Sequence, residues 1–276
     1  MKDKIASIAS YAFASILSLV FLYPFYWMVI SSFRTQESLL SNPLNPIPES
    51  FDLSAYTQLR ELGGVALGTY IFNSLFITIA TTLLAVSVTA LGAYALYRKP
   101  ELPFFKWVRY GFLMTMMYPA MLLVIPAYIV VHKLNLLGTY SGLILFMSVM
   151  PLLFLMFMQF FKAMPGEVIE AARMDGASEI QVLLKILLPM MKPILYTVAM
   201  IGFLLNWKQW LPILTIATTP EIYTLPVALL ALNSEYGINF QSTMALAAIT
   251  TLPVIVIFLL TQRQIIGGLT SGAVKG

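Results

Sequence analysis

Five stretches of this chain contain no Asp, Glu, Lys, Arg or His: residues 5–33, 70–97, 110–131, 134–161 and 236–262. A helix crossing a bilayer needs roughly 20 mostly apolar residues at about 1.5 Å each, and every one of these runs is long enough. The apolar residues lack the period-two alternation of a membrane barrel, so helices are expected. The pattern predicts an all-α membrane protein, a single transmembrane domain over 1–276 with six spans near 8–31, 70–95, 107–131, 138–161, 189–212 and 243–262. The fifth is the least clean, with Lys192 and Lys208 near its ends. Pro24, Pro119, Pro126, Pro151 and Pro253 fall inside spans, where neighbouring groups can satisfy the carbonyls that proline frees.

Composition agrees. The 276 residues are 59% hydrophobic and 10% charged, with a mean hydropathy of +0.85, whereas a soluble domain is about 25% charged. Met1-Lys-Asp-Lys looks like a signal-peptide start, but the apolar run after it is far longer than such a segment needs, so it reads as an uncleaved first helix. Cysteine is absent, so neither a disulfide framework nor a thiolate metal site is expected. A pI near 9.2 would suit nucleic acid, but topology explains the basic residues better. Twelve of the 16 Lys and Arg lie on the side of the two termini, leaving Arg34, Arg60, Lys133 and Lys208 on the other. By the positive-inside rule both termini are cytoplasmic.

One segment breaks the apolar pattern. Residues 163–188, between spans four and five, fall on the cytoplasmic side, and residues 170–189 read "EAARMDGASEIQVLLKILLP". Pro165 suits a first helical position, and Glu167 and Glu170 sit near that helix's positive end. Gly176 permits a left-handed helix stop, and Ser178 with Gln181 fits a capping box for a second helix. The segment reads as helix–glycine turn–helix at the membrane surface. On these grounds alone it is either an interfacial tether between two spans or a docking knob for a cytoplasmic partner. On the opposite side, residues 32–69 and 213–242 are long, while 132–137 is minimal, which makes the two long segments candidates for external contacts.

The spacing of that insert carries a resemblance. "EAA" at 170–172, a glycine six residues after Glu170, and "I-x-L-P" at Ile186, Leu188 and Pro189 match the EAA loop of permease subunits of bacterial ABC importers. "PFYWMVISSFRTQESL" at 24–39 resembles the first span and outer loop of the carbohydrate-importer permeases, and "YIFNSLFITIATTLLAVSVTALGAYAL" at 70–96 their second span. "RQIIGGLTSGAVKG" at 263–276 is similar to the C-terminus of the maltose-type subunit, so the resemblance runs over nearly the whole chain.

The resemblance implies a bacterial-type cytoplasmic membrane protein working by alternating access. It also implies a second related permease, forming a heterodimer, an ATPase dimer carrying ATP and Mg, and an extracytoplasmic solute-binding protein that delivers a carbohydrate. The insert would be the coupling helix, with Glu170, Ala171, Ala172, Arg173, Asp175, Gly176, Ile186, Leu188 and Pro189 facing or shaping the ATPase contact. Consistent with an ATPase elsewhere, the chain has no G-x-x-x-x-G-K-[ST] phosphate loop, and no catalytic residue is expected in it.

Candidates for the sugar path are Asn206, Trp207 and Lys208, with Tyr118 and Asn73, because sugar sites pair aromatic faces with polar hydrogen-bonding groups. Related permeases often read Trp-Asn-acid where this chain has Trp207-Lys208-Gln209, which weakens the transfer of a polar role. Each polar residue in a span has a structural alternative, bonding between helices, and Lys208 has that of a snorkelling interfacial lysine. His132 stands alone, and no metal site is expected. An importer of a polyamine, phosphate or peptide shares the insert spacing. A secondary transporter would instead need acids or histidines within the spans, and the charge-free runs contain none.

Overall fold

The computed structural model describes residues 2–48, 50–164, 166–235 and 239–273, with side chains at 7–48, 50–119, 121–164, 166–232 and 239–263. Pro165 and the side chains of the C-terminal "IIGGLTSGAVKG" stretch lie outside the described residues.

The helices run in the order α1 (Lys2–Ser31), α2 (Gln36–Ser41), α3 (Ser54–Gln58), α4 (Leu67–Arg98), α5 (Pro103–Met117), α6 (Val124–Lys133), α7 (Tyr140–Met147) and α8 (Pro151–Ala163). They continue with α9 (Gly166–Met174), α10 (Glu179–Gln181), α11 (Leu188–Met190), α12 (Lys192–Trp207), α13 (Leu211–Ile216), α14 (Leu225–Glu235) and α15 (Phe240–Ala273). Among the described residues the expected all-α class is modified only by a short hairpin, β1 (Glu61–Leu62) against β2 (Val65–Ala66). Gly63 and Gly64, at φ 55° and 77°, supply the turn that so short a hairpin demands.

Among the described residues three segments are continuous helices long and apolar enough to cross a membrane: Ser7–Ser31, Leu67–Arg98 and Phe240–Arg263. They coincide with the expected first, second and sixth spans. The other three are bent pairs: Pro103–Met117 with Met121–Lys133 at 116°, Tyr140–Met147 with Pro151–Ala163 at 48°, and Glu179–Met190 with Lys192–Trp207 at 79°. Six spans result if each bent pair is one.

Proline explains the breaks. A residue before proline is driven out of the helical region, and both Tyr118 (φ −93°, ψ 140°) and Met150 (φ −121°, ψ 88°) are extended just ahead of Pro119 and Pro151. Pro193 would clash with the carbonyl four residues back, so α12 starts afresh with this proline in its first turn. Upstream, Val182–Leu187 widens into a π-helix ahead of Pro189. The expected 189–212 segment is therefore not one continuous helix: it takes in most of α11, all of α12 (Lys192–Trp207) and the start of the separate α13. Pro24 and Pro253, by contrast, lie inside unbroken helices.

The chain forms two compact units, Met1–Gly68 with Val227–Pro253, and Thr69–Pro226 with Val254–Gly276. In the first, the long 32–69 segment is pinned down. Tyr26 Oη donates to the Pro46 carbonyl at 2.7 Å and Trp27 Nε1 to the Pro43 carbonyl at 3.1 Å. Arg34 is fully buried and donates to the carbonyls of Ser38, Asn42 and Asn45 at 2.8, 2.7 and 3.0 Å, which satisfies the guanidinium and closes the end of α2. Gln36 Oε1 accepts from the Phe240 N–H at 2.8 Å, tying the start of α15 to the same segment.

The second unit is built on aromatic packing. Phe154, Phe157 and Phe161 of α8 are buried among Ala85, Ala93 and Tyr94 of α4 and Val198 of α12. Phe112 of α5 stacks on Phe154 at 4.3 Å between ring centroids. A Cβ at Gly202 would meet Leu153 at 3.1 Å and Thr82 at 3.3 Å, so a small residue lets these helices approach, as membrane helix interfaces require.

Candidate functional site

The insert between α8 and α12 is built by local rules. α9 is amphipathic: Ile169 and Ala172, one turn apart, are buried, while Glu167, Glu170, Ala171, Arg173 and Met174 are exposed. Its end is a Schellman stop, with the Gly176 N–H donating to the Arg173 carbonyl at 2.9 Å and the Ala177 N–H to the Ala172 carbonyl at 3.0 Å. That stop needs a left-handed residue, and Gly176 has φ 80°. The capping box then forms as expected, the Ser178 N–H donating to Gln181 Oε1 at 2.8 Å and the Gln181 N–H to Ser178 Oγ at 3.3 Å.

Two faces result. The inner one carries Ile169, Ala172, Val182 and Leu187, which belong to the same buried cluster as Phe154, Phe157, Phe161 and Val198 of the spans. Moving the insert therefore means moving the helices it packs on. The outer face presents Glu170, Ala171, Arg173, Asp175 and Gly176 to solvent. Nothing lies within 4 Å of where a Gly176 Cβ would stand. Of the expected contact residues, Ala172 points inward and is packing rather than surface, and Ile186 is half-buried against the same cluster. Leu188 and Pro189 are exposed.

Three residues of this face escaped sequence reasoning. Met174, Ile180 and Leu184 are 88%, 69% and 54% exposed. The signal was present in Ile180 and Leu184, whose i,i+4 spacing places them on one helix face away from Val182 and Leu187. Glu179 is the other omission. Its carboxylate accepts from Tyr94 Oη at 2.8 Å and from Arg98 Nε at 3.3 Å, both on α4, and pairs with Arg173 of α9. This node ties the two halves of the insert to the end of a span. No local pattern could reveal it, because Arg98 lies 81 residues away in sequence.

The sugar-path candidates sit in different settings, some buried and some exposed. Asn73 is fully buried, its Nδ2 donating to the carbonyls of Glu221 and Tyr223 at 2.7 and 2.9 Å, and its Oδ1 accepting from Tyr140 Oη at 2.7 Å. Every polar atom of that amide is engaged internally. Asn206 is buried beside Thr82 Oγ1 at 3.3 Å and Met150 Sδ at 3.5 Å, and Trp207 is buried with its ring stacked on Phe203. Lys208 is exposed at the end of α12, and Tyr118 is exposed at the break after α5. Asn73 and Asn206 thus take the interhelical alternative raised by the sequence. Among the described residues no group of three His, Asp or Glu is placed to hold a metal ion.

Comparison with known proteins gives this architecture a context. The arabinooligosaccharides transport system permease protein AraQ of Bacillus subtilis is 33% identical, the alignment covering 98% of this chain and 96% of AraQ. The trehalose/maltose transport system permease protein MalG of Thermococcus litoralis is 30% identical over 95% of each chain. Among solved structures, a bacterial ABC transporter involved in the import of the acidic polysaccharide alginate contains a chain that superposes with a TM-score of 0.78 at 23% identity, over 95% of this chain and 97% of that one. Residues 89–266, which include the insert and α12, match the family described as binding-protein-dependent transport system inner membrane component. The chain belongs to that family of multi-pass inner-membrane transport subunits.

Proposed function

We propose that this chain is the transmembrane permease subunit of an ATP-driven, binding-protein-dependent importer of an oligosaccharide or related carbohydrate. Full-length relatives whose names specify oligosaccharide or disaccharide transport support the substrate class. Both termini and the 163–188 insert lie on the cytoplasmic side, by the distribution of Lys and Arg. A separate ATPase dimer binds ATP and Mg there. A second, related permease completes the membrane pore, and the long outer segments 32–69 and 213–242 receive the loaded binding protein.

The observation that carries the mechanism is the two-faced insert. Its outer face is polar with three exposed apolar side chains, Met174, Ile180 and Leu184, which suits a protein groove. Its inner face is continuous with the core of α4, α8 and α12. When the ATPase subunits close, the docked insert is displaced, and the helices packed on it follow as one body. The pore then exchanges inward for outward access, with the free energy supplied outside this chain.

The test is ATPase stimulation of the purified complex by a panel of binding proteins, each loaded with its own ligand. Stimulation by a sugar-loaded member is expected. Stimulation only by phosphate-, polyamine- or peptide-loaded members would overturn the substrate class while leaving the coupling role intact.

A further inference from the structure

The first two turns of α5 meet the last turn of α8 at a cavity of about 240 Å³. Lys106 and Arg109, one turn apart on α5, and Lys162 at the end of α8 line it, and Tyr97, Pro100 and Phe105, with the buried Leu96 and Met158, form an apolar wall. Among the described residues the ion pairs run through Glu179 to Arg98 and Arg173, so none of these three cations is neutralised by a carboxylate. The N-terminus of α5 adds the positive end of a helix. Beside the cavity, Phe104 and Trp107 are 70% and 75% exposed on the same turns. Exposed aromatics of this kind sit at headgroup depth in a bilayer.

Three uncompensated cations against an apolar wall, at that depth, are chemically specific. A soluble anion would match the charge but leave the accessible apolar lining at Tyr97, Pro100 and Phe105 wetted. A zwitterionic lipid would cover the wall but not neutralise the cations. We propose that this cavity binds an anionic phospholipid, its phosphate held by Lys106, Arg109 and Lys162 and its glycerol and first acyl carbons lying on Tyr97, Pro100 and Phe105. The assignment is independent of what the protein carries.

The experiment uses the full-length chain purified in neutral detergent, titrated with phosphatidylglycerol or phosphatidylcholine, with retained lipid counted by native mass spectrometry. Each cation beside an anionic lipid contributes roughly fivefold in affinity. Lys106→Gln combined with Lys162→Gln should therefore weaken phosphatidylglycerol binding by about 25-fold and leave phosphatidylcholine unchanged. Arg109→Gln alone should give the same selective loss at about fivefold. Lys99→Gln, an exposed cation outside the cavity lining, should change neither lipid. Wild-type phosphatidylglycerol affinity in the double variant would overturn the site. So would an equal loss in Lys99→Gln, which would mean general surface charge. Displacement of the lipid by equimolar glycerol phosphate or inorganic phosphate would assign the cavity to a soluble anion instead.

Discussion

Glu179→Ala removes the acceptor for three donors at once. Tyr94 Oη lies 2.8 Å from one carboxylate oxygen, Arg98 reaches both oxygens at 3.3 Å, and Arg173 pairs with the second. Tyr94 is buried, and a hydrogen bond to a charged acceptor is worth about 1.5–3 kcal/mol. The ion pairs are weaker, because the Glu179 and Arg173 side chains are 50% and 45% exposed, and such pairs give about 0.2–1 kcal/mol each. The node therefore holds the insert on α4 by roughly 2–5 kcal/mol. Ile169, Ala172, Val182 and Leu187 remain buried in the variant, so the loss is local opening rather than global unfolding. Amide exchange over residues 173–182 should accelerate at least about 30-fold in Glu179→Ala. Glu179→Gln keeps an acceptor for Tyr94 and loses only the charge, so about fivefold is expected. Exchange in α12 over 198–206 should not change. Wild-type exchange at 173–182 in the alanine variant, or equal acceleration everywhere, would refute the reasoning.

Asn73→Leu leaves two carbonyls and the Tyr140 hydroxyl without their partner in a buried site, so a loss of about 2–4 kcal/mol and a clearly lower Tm are expected in detergent-solubilised protein. Unchanged Tm would mean the amide is not structural. Asp52 accepts from the Ser54 N–H and hydroxyl, both at 2.8 Å, and these bonds hold its carboxyl below the usual value near 3.8. A depressed carboxylate stabilises above its unfolded value and loses that contribution as pH falls through its folded one. Exchange protection at residues 53–57 should thus be flat down to about pH 4 and fall only below it, and Asp52→Asn should be pH-independent there. Lys208→Ala should leave the selection between neutral and acidic sugars unchanged in an uptake assay, because the lysine is exposed at the end of α12. Selective loss of acidic-sugar uptake would place it in the path.

The charge-free runs located the continuous spans because membrane burial is a local property of composition: 70–95 falls inside Leu67–Arg98 and 243–262 inside Phe240–Ala273. The insert was legible for a similar reason, since a Schellman stop and a capping box are written within a few residues at Gly176, Ser178 and Gln181. The broken spans were less legible. A proline signals a break or a tolerated kink, and Pro151 and Pro253 carry the same local cue with opposite outcomes. Which outcome wins depends on whether neighbouring helices accept the bend. The inward turn of Ala172, the engagement of Asn73 with α7 and the 219–223 segment, and the Tyr94–Arg98–Glu179 node are all long-range facts. They follow from which helix packs on which, and periodicity does not specify that.

Gly176→Asp tests most directly the proposal that the outer face of the insert receives the force of ATP hydrolysis. At φ 80°, with open space around the missing Cβ, aspartate costs only the left-handed conformation, about 1–2 kcal/mol or less for a residue that tolerates that region. The chain should fold and enter the membrane while a new carboxylate projects from the exposed turn at position 176. In liposomes holding the complete complex, with ATP and a sugar-loaded binding protein, the variant should show wild-type amounts of membrane-inserted chain, no sugar uptake, and ATP hydrolysis that no longer answers to the binding protein. Full uptake with normally stimulated hydrolysis in that variant would contradict it.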